Sequence, residues 1–184
     1  MSRDISKVLV IDLEATCFRT EEERPVGEIN EIIELGCVLL DVKTGQILKS
    51  KSIFVKPIKS SVSPFCTELT TITQELLDKE GVSFPEAMEI LKKEFKPKDI
   101  TWISYGDYDR NQMKKDCDLH NVKSPLSQTH INIKNIFALK NKLPKEVGLD
   151  GALTILGEVF EGTAHRGVDD AINISKVVRK TLWT

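Results

Sequence analysis

Asp12 and Glu14 stand two positions apart at the end of Val8–Ile11, a run of four apolar residues of which three are β-branched. In a strand, residues i and i+2 project from one face, so these carboxylates lie side by side wherever the strand extends that far. Like charges so placed repel unless one keeps its proton or a cation sits between them. A hard divalent ion, Mg²⁺ or Mn²⁺, suits such oxygen ligands. The spacing alone decides little. With 28 acids in 184 residues, chance gives about four acid-x-acid pairs, and five occur, at 12/14, 21/23, 78/80, 107/109 and 116/118. Context separates the first pair, because the others fall in charged loops, helices or helix starts.

Two later stretches add to it. In WISYGDYDRNQM (102–113) an apolar strand passes through Gly106 into two acids and then a helix. Either Asp107 or Asp109 could be only a helix cap or dipole partner. In HRGVDDAINIS (165–175) a histidine precedes a helix whose first turn holds Asp169 and Asp170. A lone histidine can be structural, and paired acids suit a helix start. Taken together, several element ends deliver acids towards one edge of a sheet, with a histidine beside them. That is the inventory of two-metal phosphodiester hydrolysis: carboxylates hold the cations, water attacks phosphorus, and a neutral histidine accepts its proton.

The elements that would position these groups follow from pattern. Residues 7–12 read as a buried strand and 19–31 as a charged loop with Pro25 and Gly27. A second strand spans 31–42, and the turn Lys43-Thr44-Gly45 leads to a third over 49–56, an antiparallel hairpin. Helices follow at 73–79 and 83–95, the latter opened by Ser83 and Glu86 as a capping box. A strand at 100–105, a helix at 109–119 and a short strand at 130–133 come next, then helices at 133–141, 149–156 and 169–182. This order predicts one α/β domain over residues 1–184: a mixed five-stranded sheet, three strands in an antiparallel meander plus two more, flanked by helices, with the first strand central.

Composition is that of an ordinary globular protein, with net charge -2, so no global basic field announces a nucleic-acid partner. The lysines at 92/93/96/98, 114/115 and 140/142/145 read as solvated faces. Cys17, Cys37, Cys66 and Cys117 are scattered, which suits reduced thiols, and Cys117-x-x-His120 lacks the further ligands of a zinc site. The apolar run at the N-terminus is too short for a signal segment or membrane span. The chain reads as soluble and cytoplasmic.

The ordered set, D-x-E after an apolar strand, an aromatic-Asp pair opening a helix, then H-x-x-x-x-D, resembles the DEDDh 3′–5′ exonucleases from Val8 to about Ile174. The segments EATC, EIIELGCVLLD, SPFCTELTTITQELLD and HRGVDDAINI are most similar to the Eri-type branch, which trims 3′ ends of structured and small RNAs, and to sporulation-inhibitor-like relatives. The resemblance implies a ribonuclease H-like fold and two divalent cations, with Asp12, Glu14, Asp109 and Asp170 as metal ligands and His165 as general base. It further implies that Ala15, Thr16, Cys17 and Phe18, with Leu69, Thr70, Thr71 and Ile72, cradle the 3′ nucleotide. Phe18 or Phe65 could stack on a base, though either could equally serve the core. Thr71 replaces the glycine of the family's Leu-Thr-Gly-Ile, where a side chain could narrow the pocket. The nucleic-acid-binding extension that some relatives carry before the first strand is not seen, which implies less intrinsic affinity for a particular folded RNA. The expected activity is release of nucleoside 5′-monophosphates from single-stranded 3′ ends, RNA ahead of DNA. A DNA exonuclease, or a non-catalytic adaptor on this fold, is the alternative.

Overall fold

The computed structural model describes residues 4–183; the ends of the expected 1–184 domain, residues 1–3 and 184, lie outside the described residues. Five strands, β1 (Asp4–Ala15), β2 (Ile32–Asp41), β3 (Ile47–Phe54), β4 (Ile100–Ser104) and β5 (His130–Asn132), form one sheet in the order β3-β2-β1-β4-β5. β1 pairs antiparallel with β2 and parallel with β4, β2 antiparallel with β3, and β4 parallel with β5. β1 is the middle strand, as the pattern predicts. Among the described residues seven α-helices accompany it: α1 (Pro64–Thr70), α2 (Gln74–Glu80), α3 (Phe84–Phe95), α4 (Tyr108–Leu119), α5 (Ile133–Lys140), α6 (Leu149–Leu156) and α7 (Gly167–Leu182). Among the described residues no helix is long and apolar enough to cross a membrane.

The unbroken apolar run of β1 is explained by cover on both faces. Leu9, Ile11 and Leu13 pack with Phe84, Met88, Leu91 and Phe95 of α3. Val8 and Val10 pack on the other face with Ala171, Ile174, Val177 and Val178 of α7 and Phe137 of α5. Asp12 and Glu14 continue this second face, beyond the point where apolar partners end. β1 runs three residues past Asp12, so the condition for pairing the two carboxylates is met.

α1 is absent from the sequence reading. Its buried side is only Cys66 and Thr70, so no stripe of large apolar residues marks it, and the available signal was Ser63-Pro64: Ser63 accepts the Cys66 N–H and Pro64 occupies the first turn. The predicted capping box is present, with Ser83 accepting from the Glu86 N–H and Glu86 accepting from the Ser83 N–H. Ser83→Ala is expected to cost about 1 kcal/mol, roughly 2–4 °C in melting temperature for a chain of this size. A thermal melt of the variant beside the parent checks it.

Candidate active site

Asp12 and Glu14 emerge from β1 opposite Gly36 and Glu34 of β2. Immediately after Glu14 the register shifts at an irregularity that ends the regular pairing and turns the chain into Ala15–Phe18. Asp170 comes from the first turn of α7. One carboxylate oxygen from each of Asp12, Glu14 and Asp170 can be chosen so that all three lie within 4.8 Å of one another. The Oδ2 of Asp170 is buried without a hydrogen-bond partner. Three converging carboxylates, one of them with a buried oxygen that no protein donor satisfies, are what a cation-binding cluster of oxygen ligands requires.

Asp109 is 4% exposed, in the first turn of α4. It lies outside the trio, and its Oδ1 accepts the Leu13 N–H at 2.9 Å, from the residue between Asp12 and Glu14. Burial distinguishes Asp109 from Asp107, which is half exposed, pairs with Arg110 at 3.0 Å and makes no side-chain cap. Asp169 likewise turns away from the trio and accepts the Thr163 N–H at 2.9 Å, tying down the loop before α7. His165 is exposed in that loop, with a left-handed φ of 60°.

The bare cluster is over-supplied with negative charge. Burial, then the charges of Asp109, Asp170, Glu14 and Glu34, raises the Asp12 carboxyl well above the usual range. Burial, then Asp170, Glu34 and Asp109, pushes Glu14 up to about 9. Burial raises Asp170 to about 7 against the pull of the His165 and Arg166 N–H groups. Asp109 rises to about 6, again through burial, opposed by the Leu13 N–H.

Four residues outside the expected set belong to this neighbourhood. Glu34, fully buried, accepts from Ser52 Oγ at 2.6 Å, Arg166 Nε at 3.2 Å and the Gly167 N–H at 3.1 Å, clamping the start of α7 to β2. Arg166 also donates to Thr71 Oγ1 at 3.4 Å and lies over the Phe54 ring. Tyr108, half exposed, has its phenol raised to about 12 by burial, and it feels Asp109, Glu14 and Cys17. Cys66 of α1 shares a hydrogen bond with Cys17, which holds the Cys17 proton on far above the usual thiol range and draws Cys66 down to about 7. No sequence signal pointed to Cys66; Glu34 sat in plain view in EIIELG, where alternation gave no reason to single out one acid.

The expected nucleotide cradle divides by side chain. Thr16, Thr70 and Ile72 are fully buried, so those side chains have structural partners and only their backbone is available to a ligand. Thr16 Oγ1 donates to Ile29 O and accepts the Glu31 N–H; Thr70 Oγ1 donates to Cys66 O. Ala15 is also buried, while Cys17, Phe18 and Leu69 are half-buried and Thr71 is exposed. Thr71 caps α1 at φ 62°, the conformation a glycine adopts without penalty. Phe18 and Phe65 belong to none of the core clusters and line a cleft of about 450 Å³, with Arg19 4.9 Å above the Phe65 ring and Arg24 5.8 Å from that of Phe18.

A family model described as an exonuclease of the RNase T type matches residues 9–178. The chain belongs to this exonuclease family. The solved nuclease domain of 3′hExo, a DEDDh family member bound to rAMP, matches it with a TM-score of 0.86 and 30% identity, over 99% of this chain and 94% of that one. A structure described as 3′-end specific recognition of histone mRNA stem-loop by 3′-exonuclease gives a TM-score of 0.85 and 30% identity, over 97% of this chain and 82% of that one. The 3′–5′ exoribonuclease 1 of Rattus norvegicus is 31% identical over 185 residues, which is 95% of this chain and 52% of the rat protein. The chain thus spans about half the length of that curated relative. As a DEDDh exonuclease it has the ribonuclease H-like sheet expected from the sequence.

Proposed function

We propose that this DEDDh exonuclease hydrolyses single-stranded 3′ ends from 3′ to 5′, with RNA favoured over DNA, releasing nucleoside 5′-monophosphates. The observation that carries this reading is the convergence of Asp12, Glu14 and Asp170 within 4.8 Å, with one Asp170 oxygen buried and unpartnered. The donors fit two divalent cations, Mg²⁺ or Mn²⁺: Asp12, Glu14 and Asp170 would hold them, with Asp109 beside this trio as the fourth carboxylate. When bound, these ions supply Lewis-acid activation of water and offset charge on the phosphoryl group. His165 accepts the proton of the attacking water on an imidazole nitrogen, its exposed position leaving the ring free to approach. The cleft of Phe18 and Phe65 offers ring faces to unpaired bases. The backbone of Ala15–Phe18 and Leu69–Ile72 borders the 3′ nucleotide. An RNA preference is supported by the relatives described as an exoribonuclease and as bound to rAMP or a histone mRNA stem-loop. Free cysteines at 17, 37, 66 and 117 support a reducing, cytoplasmic setting.

The test is digestion of 5′-labelled RNA and DNA, with free or blocked 3′ ends, in Mn²⁺, Mg²⁺ or EDTA. A metal-dependent ladder from free 3′ ends, faster on RNA, is expected. A faster DNA ladder would replace the sugar preference, and no cleavage by folded, metal-loaded protein would favour a binding role. His165→Ala is expected to lower turnover by roughly 10²–10⁴-fold while metal titrations stay unchanged; full activity would remove its role as base.

Metal binding should depend on pH in a definite direction. Each raised carboxyl holds its proton more tightly folded than unfolded, where acids titrate near pH 4. Stability of the metal-free fold is therefore fullest below pH 4 as far as these groups are concerned, and is lost as pH rises through the folded values of about 6, 7 and 9 for Asp109, Asp170 and Glu14. A cation displaces those protons, so Mn²⁺ affinity is expected to rise between about pH 6 and 9, with proton release seen as buffer-dependent heat in calorimetry. Affinity flat over that window would contradict the assignment.

A further inference from the structure

Cys17 and Cys66 come together from parts of the chain far apart in sequence. Cys17 ends the turn that follows Glu14, and Cys66 lies in the first turn of α1, the helix leading into Leu69–Ile72. Their thiols share a hydrogen bond. Ser63 fixes both at once: its Oγ donates to Cys17 O at 2.6 Å and accepts the Cys66 N–H at 2.9 Å. Cys66 Sγ also faces Ala15 O at 3.7 Å. Cys17 packs against the small cluster of Ile33, Cys66, Ile72 and Leu77, so neither side chain is free to swing away. Access is unequal: Cys66 is fully buried, whereas Cys17 is partly open. The two remaining cysteines, Cys37 and Cys117, are buried on β2 and α4, in a different core cluster from this pair.

From this arrangement we propose that Cys17 and Cys66 form a thiol modification site, reactive towards hydroperoxides, whose disulfide state turns the nuclease down. The ionised Cys66 sulfur takes the Cys17 proton across their shared hydrogen bond as the Cys17 sulfur attacks a peroxide oxygen; the S–O bond forms, the O–O bond breaks, and the leaving hydroxide takes a proton from solvent as water. The Cys66 sulfur then attacks the Cys17 sulfenic acid; the S–S bond forms, the S–O bond breaks, and a second water carries off the Cys66 proton. Two thiols lose two electrons and the peroxide gains them. Only Cys17 has to meet the oxidant, which matches the unequal exposure, and Cys66 resolves it from within the fold. A bond of about 2 Å between sulfurs now in hydrogen-bond contact draws the turn at Ala15–Phe18 towards α1. That turn begins at Glu14, and displacements of ~1 Å beside reacting groups lower rates by on the order of 100-fold. Disulfides in reducing compartments are typically redox-sensing in this way.

The effect on turnover rests on the proposed nuclease reading, whereas formation of the bond does not, and one experiment separates them. The full chain, freed of metal, is treated with hydrogen peroxide, alkylated, and digested with trypsin without reduction. Cleavage isolates Cys17 in peptide 8–19 and Cys66 in peptide 60–79. The expected result is a cross-link between these two peptides, with Cys37 and Cys117 still free thiols. In parallel, exonuclease activity falls by at least about tenfold and returns with dithiothreitol. The ratio of treated to untreated activity in Cys66→Ser and in Cys17→Ser stays within about twofold of one on the same reasoning; if one variant does not fold, the other gives the same comparison. No cross-link, or an equal loss of activity in the serine variants, overturns the site. A cross-link with unchanged activity overturns the regulatory consequence. Protein inactive before treatment that still cross-links upholds the thiol site and counts against the nuclease reading instead.

Discussion

Asp12→Asn is expected to lower exonuclease turnover by at least on the order of 10³-fold, because losing bound cations forfeits several kcal/mol of transition-state stabilisation at about 1.4 kcal/mol per tenfold. The same substitution should raise the stability of the metal-free fold. Burial raises the Asp12 carboxyl, and the four acids around it, Asp109, Asp170, Glu14 and Glu34, raise it further. An amide never has to take up a proton to avoid that burial and repulsion, so the substitution removes the cost without changing the shape of the side chain. In EDTA the variant should melt about 2 °C or more above the parent, the shift expected from ~1 kcal/mol in a chain this long. With Mn²⁺ at roughly 100 times its dissociation constant the parent gains about 2.7 kcal/mol, and the variant gains far less. Differential scanning calorimetry with and without metal separates the cases. A variant that melts lower than the parent in EDTA contradicts the electrostatic account, and one that keeps full turnover removes Asp12 from the mechanism.

Gly36→Ala is expected to be the most damaging single-methyl change in the sheet. Gly36 lies opposite Asp12 on β2, and an added Cβ would fall 1.9 Å from the Gly167 carbonyl carbon and 2.3 Å from the Val168 nitrogen. Both are backbone atoms of the first turn of α7, so no side chain can rotate aside. The reverse contact is also tight: a Cβ on Gly167 would meet Gly36 N at 3.0 Å and Asp12 O at 3.1 Å. The helix start that carries Asp170, and the His165 loop before it, therefore rest directly on the strand pair that carries Asp12. Overpacking typically costs 1–3 kcal/mol and more where nothing can yield; about 3 kcal/mol lowers the melting temperature by roughly 6–12 °C here. A 1 Å lift of Asp170 and His165 adds a loss on the order of 100-fold in turnover. Gly148→Ala is the control, since a Cβ there meets nothing within 4 Å, and its melt and turnover should match the parent. A Gly36→Ala protein equal to Gly148→Ala in both would show that α7 is not seated as described.

Much of the molecule was legible before any coordinates. The apolar run ending in Asp12-x-Glu14, the Ser83 capping box and the hairpin around Lys43-Thr44-Gly45 are local patterns, and local patterns survive folding because they report backbone geometry and one-sided burial. The central place of β1 followed from its lack of polar alternation. α1 was missed, although α2 of equal length was read, because it buries only Cys66 and Thr70 and shows no stripe of large apolar residues, and β1 was drawn too short because exposed Ile5 and Ser6 precede its apolar run and Asp12 and Glu14 interrupt it.

At the site, sequence alone supplied the residue types and left Asp107 against Asp109 and Asp169 against Asp170 to the family resemblance. Burial and partners separate them physically: Asp109 takes the Leu13 N–H inside the fold, while Asp107 pairs with Arg110 outside, and Asp169 holds the loop while Asp170 joins Asp12 and Glu14. Glu34, the Gly36–Gly167 contact and the Cys17–Cys66 pair were invisible for one reason. Each joins residues between 49 and 133 positions apart, and composition or spacing along a chain says nothing about which distant side chains will be pressed together. The sequence by itself determined that buried β1 would end in paired carboxylates; only the packing of α1, α4 and α7 against that strand decided which acids, and which sulfurs, meet them.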